Sequence, residues 1–157
     1  MKKFLIALFI ASIPLSYVQA REIAVTMHAL GDNGIVSHSI GVIVVSETGN
    51  GLRMTPYLQN MQAGEFTFTI NENVSCHGKF TGLETFIPGM AAGKALWTMP
   101  NLRVAANGVA NQPVEIAGVR MTDLSQRTLV VSRKSSPTQT LADTEPERIA
   151  CGSLEQY

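Results

Sequence analysis

The sequence predicts an all-β domain of the Greek-key sandwich or barrel type, with about eight strands and one disulfide. Three observations carry that prediction. Short runs of β-branched and apolar residues alternate with polar ones, at the period of two that sends successive side chains to opposite faces of a sheet. Clusters of Gly, Asn and Asp separate these runs, and no stretch shows the periodicity of an amphipathic helix. Two cysteines, Cys76 and Cys151, stand in a chain that opens like an export signal.

The opening segment has the parts of a cleavable leader. Lys2 and Lys3 form a basic start, residues 4–15 are apolar, and Val18-Gln19-Ala20 is a small-residue cleavage site. The apolar run is too short to span a bilayer comfortably, and no cysteine follows it for acylation. Residues 1–20 are therefore expected to leave as a signal peptide, with no transmembrane anchor remaining. Residues 21–157, about 137 in all, suffice for one core and are too few for two. Loss of Lys2 and Lys3 leaves 10 basic against 12 acidic residues, a net charge of −2. Like-charge blocks are absent, so neither nucleic acid nor a polybasic membrane contact is expected. The expected destination is a bacterial periplasm, or secretion. There an oxidising environment favours a bridge between Cys76 and Cys151 over two separate thiols. Such a bridge closes a loop of about 75 residues, which chain-entropy arithmetic values at roughly 4–5 kcal/mol.

In chain order, Ile23-Ala24-Val25-Thr26-Met27-His28-Ala29 reads as a strand and ends at the turn cluster Gly31-Asp32-Asn33-Gly34. Residues 39–47 form the next, with Ile40, Val42 and Val44 on one face; Ile43 and Val45 are apolar too, which predicts cover on both sides. Gly49-Asn50-Gly51 tolerates positive φ and predicts a hairpin returning through residues 52–58. Residues 65–71 alternate cleanly, with Phe66, Phe68 and Ile70 on one face and Thr67, Thr69 and Asn71 on the other. Between residues 72 and 100 the periodicity fades among Gly78, Gly82, Pro88, Gly89, Gly93 and Pro100, which predicts a long loop. Residues 102–105, a turn at Asn107-Gly108 and residues 109–116 read as a further hairpin. Residues 128–132 are a short apolar strand, 133–147 a polar loop, and 149–151 the last strand.

The same segments, taken in order, resemble the copper/zinc superoxide dismutases of the bacterial periplasmic type. Val25-Thr26-Met27-His28-Ala29-Leu30-Gly31 resembles the family's first strand. Ser39-Ile40-Gly41, with Gly51-Leu52 and Thr55-Pro56, resembles its first hairpin. Glu72-Asn73 with Ser75-Cys76 is similar to the start of the disulfide subloop, and Pro88-Gly89-Met90-Ala91-Ala92-Gly93 to the approach to the zinc loop. Arg127-Thr128-Leu129-Val130-Val131 and the closing Arg148-Ile149-Ala150-Cys151-Gly152 complete the series. The resemblance implies that family's barrel over residues 21–157.

It also implies copper and zinc, and there the chain departs from the pattern. The family's Phe-His-Ile-His-Glu strand is here Phe68-Thr69-Ile70-Asn71-Glu72. By resemblance the copper-ligand positions hold Thr69, Asn71, Lys94 or Ala95 for the bridging histidine, and Ser132; Thr98 stands at the zinc aspartate's place. The zinc loop is shortened, and Thr144-Glu145-Pro146-Glu147 replaces the glycines before the closing motif. Thr, Asn and Ser are weak neutral oxygen donors and do not substitute for a set of imidazoles around copper or zinc. The expectation is no cofactor and no catalytic residue.

Few other residues invite chemistry. His28, His38 and His77 lie at no ligand position; they read as ordinary surface histidines or, for His77, part of an unrelated metal site. Arg148 is either a small-anion donor, as the family's arginine is, or a structural group satisfying carbonyls beside the disulfide. Arg133 and Lys134 are expected to share its neighbourhood. Met27, Met54, Met61, Met90, Met99 and Met121 are scattered, which favours core filling over Cu(I) binding. Trp97 either anchors a protein contact or is buried over the altered site. The expected function is that of a catalytically inactive, exported family member that binds a periplasmic or surface protein, or a small ligand where copper would lie. The alternative is residual dismutase or copper-binding activity through a rearranged site using His77, His28 or methionines.

Overall fold

The computed structural model describes residues 21–31, 36–81, 85–87, 89–134 and 146–155. The expected leader, most of the 31–34 turn and most of the polar stretch 133–147 lie outside these residues. Ten strands follow in chain order: β1 (Glu22–Leu30), β2 (Val36–Glu47), β3 (Gly51–Leu58), β4 (Gly64–Asn71), β5 (Lys79–Thr81), β6 (Thr85–Ile87), β7 (Ala95–Val104), β8 (Val114–Ala117), β9 (Arg127–Arg133) and β10 (Arg148–Leu154). Two short 3₁₀ turns, Met90–Ala92 and Met121–Leu124, complete the described elements. Among the described residues no helix is long and apolar enough to cross a membrane.

Eight strands form one antiparallel sheet in the order β7-β4-β9-β10-β1-β2-β3-β8, and β5 and β6 form a separate ribbon. The edge strands β7 and β8 approach each other without a hydrogen-bonded ladder, so the sheet curls into a nearly closed barrel. The connections from β3 to β4 and from β7 to β8 both cross that seam, which is the Greek-key feature. The interior is apolar. Phe68, Met27, Ile43, Met54, Ile70 and Leu129 are completely enclosed, and the alternation read in β4 puts Phe66, Phe68 and Ile70 inside. Met27, Met54, Met99 and Met121 are core residues, and Met61 packs against the core.

Three local expectations are corrected. In β2 the buried residues are Ile40, Ile43 and Val45, not a single face of Ile40, Val42 and Val44. Met27 pairs with Gly41 while His28 pairs with Ser39, so Ile40 is an extra residue, and this bulge reverses the inward phase. The long loop ends sooner than its glycines imply, because β7 already begins at Ala95. Pro100 does not break β7: the strand lies at a sheet edge, and Phe66 faces Leu102 while Phe68 faces Met99, so Pro100 sits in a bulge. The turn at Asn107-Gly108 forms, with the Gly108 N–H donating to the Ala105 carbonyl at 2.9 Å. The strand after it pairs with β3 rather than β7, through Leu52–Ile116 and Met54–Val114. Cys76 and Cys151 are joined as a disulfide with Cα atoms 5.8 Å apart, tying the loop after β4 to β10.

Candidate functional site

With Phe66, Phe68 and Ile70 inside the barrel, Thr67, Thr69 and Asn71 point out of it. On the neighbouring strand β9, Leu129 and Val131 face inward and Val130 and Ser132 face outward. The β4–β9 ladder sets Thr67 opposite Ser132 and Thr69 opposite Val130, so these side chains share one face. On the far side of β9, β10 brings Arg148 opposite Ser132. Lys94, just before β7, and Ala95, its first residue, supply the remaining wall. Together with Pro146 these residues enclose a pocket of about 170 Å³ on the outside of the barrel.

A hydrogen-bond network closes one side of the pocket. The Thr69 hydroxyl donates to Asn71 Oδ1 at 2.7 Å, and Asn71 Nδ2 donates to the Gly93 carbonyl at 2.7 Å. Arg148 donates to the same carbonyl through Nη2 at 3.0 Å and to the Gly89 carbonyl through Nη1 at 2.6 Å. Gly93 holds a positive φ of 75°, and a Cβ there would lie 2.5 Å from the Glu72 side chain. The loop carrying Cys76 holds this wall in turn. The Glu72 N–H donates to Lys94 O at 3.0 Å, the Lys94 N–H to Glu72 Oε1 at 3.0 Å, and the Asn73 N–H to Ala92 O at 2.9 Å. Cys76, Cys151, Val130 and Ala92 form a small apolar cluster behind it.

Thr69, Asn71, Ala95, Ser132 and Arg148, singled out in the sequence, therefore meet in one pocket. Thr98 does not join them: it is exposed on β7, opposite Thr69, and lies outside the lining. His28 on β1, His38 and His77 are likewise elsewhere. Arg133 pairs at 2.6 Å with Glu147, the residue before Arg148, and Lys134 pairs with Glu65 at 3.6 Å; neither is among the pocket's lining residues. Trp97 is half-buried and packs against the barrel core opposite Ile70, not over the pocket. Arg148 does satisfy backbone carbonyls, as its structural reading requires. Thr67 escaped selection, although the alternation that singled out Thr69 and Asn71 places it on the same face.

The donor set does not fit copper or zinc. The lining holds hydroxyls, one amide and two cationic groups, with no imidazole, thiolate or carboxylate among the described residues. Asn71 and Thr69 already satisfy each other, and the Asn71 amide is turned to a carbonyl. Such oxygens bind soft or borderline ions poorly, and two cations beside the site oppose a third. Among the described residues, no group of three or more His, Cys, Asp or Glu could hold a metal ion. The arrangement is suited instead to hydrogen bonding with a polar ligand.

No family model matches the chain. Over 121 residues it is 31% identical to superoxide dismutase [Cu-Zn] 2 of Salmonella typhimurium, covering 67% of this chain and 69% of that protein. Over 114 residues it is 30% identical to superoxide dismutase [Cu-Zn] of Pasteurella multocida, covering 60% of this chain and 61% of the relative. Among solved structures, the Cu/Zn superoxide dismutase from Brucella abortus superposes with a TM-score of 0.74 at 22% identity, over 86% of this chain and all of the other. The monomeric copper, zinc superoxide dismutase from Salmonella enterica gives 0.73 at 25% identity, with the same coverage.

Proposed function

The chain belongs to the copper/zinc superoxide dismutase family, and from that membership and the chemistry of its pocket we propose that it is a catalytically inactive, metal-free member that works by binding. Dismutation on this scaffold alternates two copper oxidation states and so needs a redox ion held by imidazoles. The observation that carries the proposal is the convergence of Thr69, Asn71, Ala95 and Ser132 in a single pocket. By resemblance these are the copper-ligand positions. Here they present neutral oxygen, nitrogen and methyl groups, two of them already hydrogen-bonded to each other. Thr98, exposed outside the pocket, is read in the same way as an altered zinc position. The protein acts after export, in the periplasm, with a small ligand in the pocket or a protein docked over it.

The test is elemental analysis and a dismutase assay on the exported protein, followed by titration with Cu(I) and Cu(II). Expected outcomes are copper and zinc far below one per chain, no activity above the buffer blank and no gain on copper addition. Stoichiometric copper with dismutase activity refutes the proposal and favours the residual-activity alternative. A pull-down from periplasmic extract, run in parallel, separates a protein partner from a small ligand.

A further inference from the structure

Resting on the reading that the pocket binds a ligand other than copper, we propose that this ligand is a small tetrahedral oxyanion, phosphate or sulfate, held against the β4–β9 face by Ser132, Thr67 and Lys94. Ser132 is 5% exposed and lines the pocket, yet no hydrogen bond joins its hydroxyl to another described residue. The oxygen itself is not sealed off, since among the described residues the one fully enclosed side-chain polar atom without a partner is Arg127 Nε, so the Ser132 hydroxyl is open to a ligand or water atom in the pocket. Thr67 stands directly opposite it in the ladder, and its hydroxyl also lacks a described protein partner. Side chains so paired have Cβ atoms about 4.5–5.5 Å apart, close enough for both hydroxyls to reach oxygens of one ion.

The charge around these hydroxyls selects the sign of the ligand. Lys94 stands exposed on the pocket wall with no ion-pair partner among the described residues; the Glu72 carboxylate accepts from its backbone N–H at 3.0 Å but is not a lining residue, and among the described residues no carboxylate lines the pocket. Arg148 adds positive potential, while two of its N–H groups hold the Gly89 and Gly93 carbonyls. A lining of hydroxyl donors with ammonium and guanidinium groups favours an anion that accepts several hydrogen bonds, which oxyanions do. The pocket volume of about 170 Å³ far exceeds the roughly 10–15 Å³ that one water needs.

Calorimetric titration of the mature chain with inorganic phosphate, and separately with sulfate, tests this against chloride at matched ionic strength. The expected result is one-to-one binding of at least one of the two ions. Ser132→Ala and Lys94→Gln should each weaken it by about tenfold, the scale of losing one hydrogen bond to a charged group. Both variants should keep native thermal unfolding in chloride, Ser132→Ala because it is nearly isosteric and Lys94→Gln because the side chain is exposed. Binding no stronger than chloride, or equal affinity in both variants, overturns the proposal. Copper titration of the same samples keeps the two readings apart. Absent phosphate and sulfate binding with copper still unbound rejects only the oxyanion, whereas copper binding with dismutase activity rejects the metal-free reading.

Discussion

Replacing Asn71 by alanine tests whether a neutral hydrogen-bond clasp holds the pocket wall. Asn71 is 2% exposed, and its side chain makes two bonds, one accepted from Thr69 and one donated to the Gly93 carbonyl. Each contributes about 1 kcal/mol net, for roughly 2 kcal/mol together. Two features keep the loss near that value. The Gly93 carbonyl retains a bond from Arg148, and the Thr69 hydroxyl faces a pocket that can admit water. Urea unfolding with the disulfide intact is the assay. With a slope of about 2 kcal/mol per molar, the midpoint should fall by about 1 M at unchanged slope. Thr69→Val removes one of the two bonds, so the double variant should lose less than the sum of the singles, by about 0.5 kcal/mol or more. An Asn71→Ala loss below about 0.5 kcal/mol, the scatter of ordinary surface changes, refutes the reasoning: the wall would then be held by Arg148 and the disulfide loop alone.

Two further outcomes follow from the fold. Cys76→Ala should lower stability by about 2–5 kcal/mol, because the bridge closes a long loop in a small domain; unchanged thermal unfolding on reduction would count against it. Gly41→Ala should cost more than the roughly 1–3 kcal/mol of ordinary overpacking. Gly41 has φ of 134°, and a Cβ there would lie 2.0 Å from the Tyr57 carbonyl oxygen, which the β2–β3 ladder holds in place. Urea midpoints measure this effect, and a native-like Gly41→Ala would show that the bulge can rearrange at little cost.

Much of this protein was legible from its residues alone. The alternation over residues 65–71 identifies β4 and both of its faces, because strand side chains report their own period of two. Gly49-Asn50-Gly51 locates the β2–β3 hairpin, since a tight turn is a local choice of φ. The ordered matches to a known family singled out Thr69, Asn71, Ala95, Ser132 and Arg148, which come from four separate stretches of chain and line one pocket in the fold. Other features depended on the tertiary structure. Where Ile40 reverses the phase of β2, why Pro100 survives inside β7 and why β8 pairs with β3 all depend on which strand lies alongside, and no local pattern encodes that. Thr67 gained a place in the pocket, and Lys94 and Ala95, offered as alternatives for one position, both line it, for the same reason. A side chain's chemistry is written in the sequence, but its neighbours are chosen by ladder register and barrel closure, which act between residues far apart in the chain.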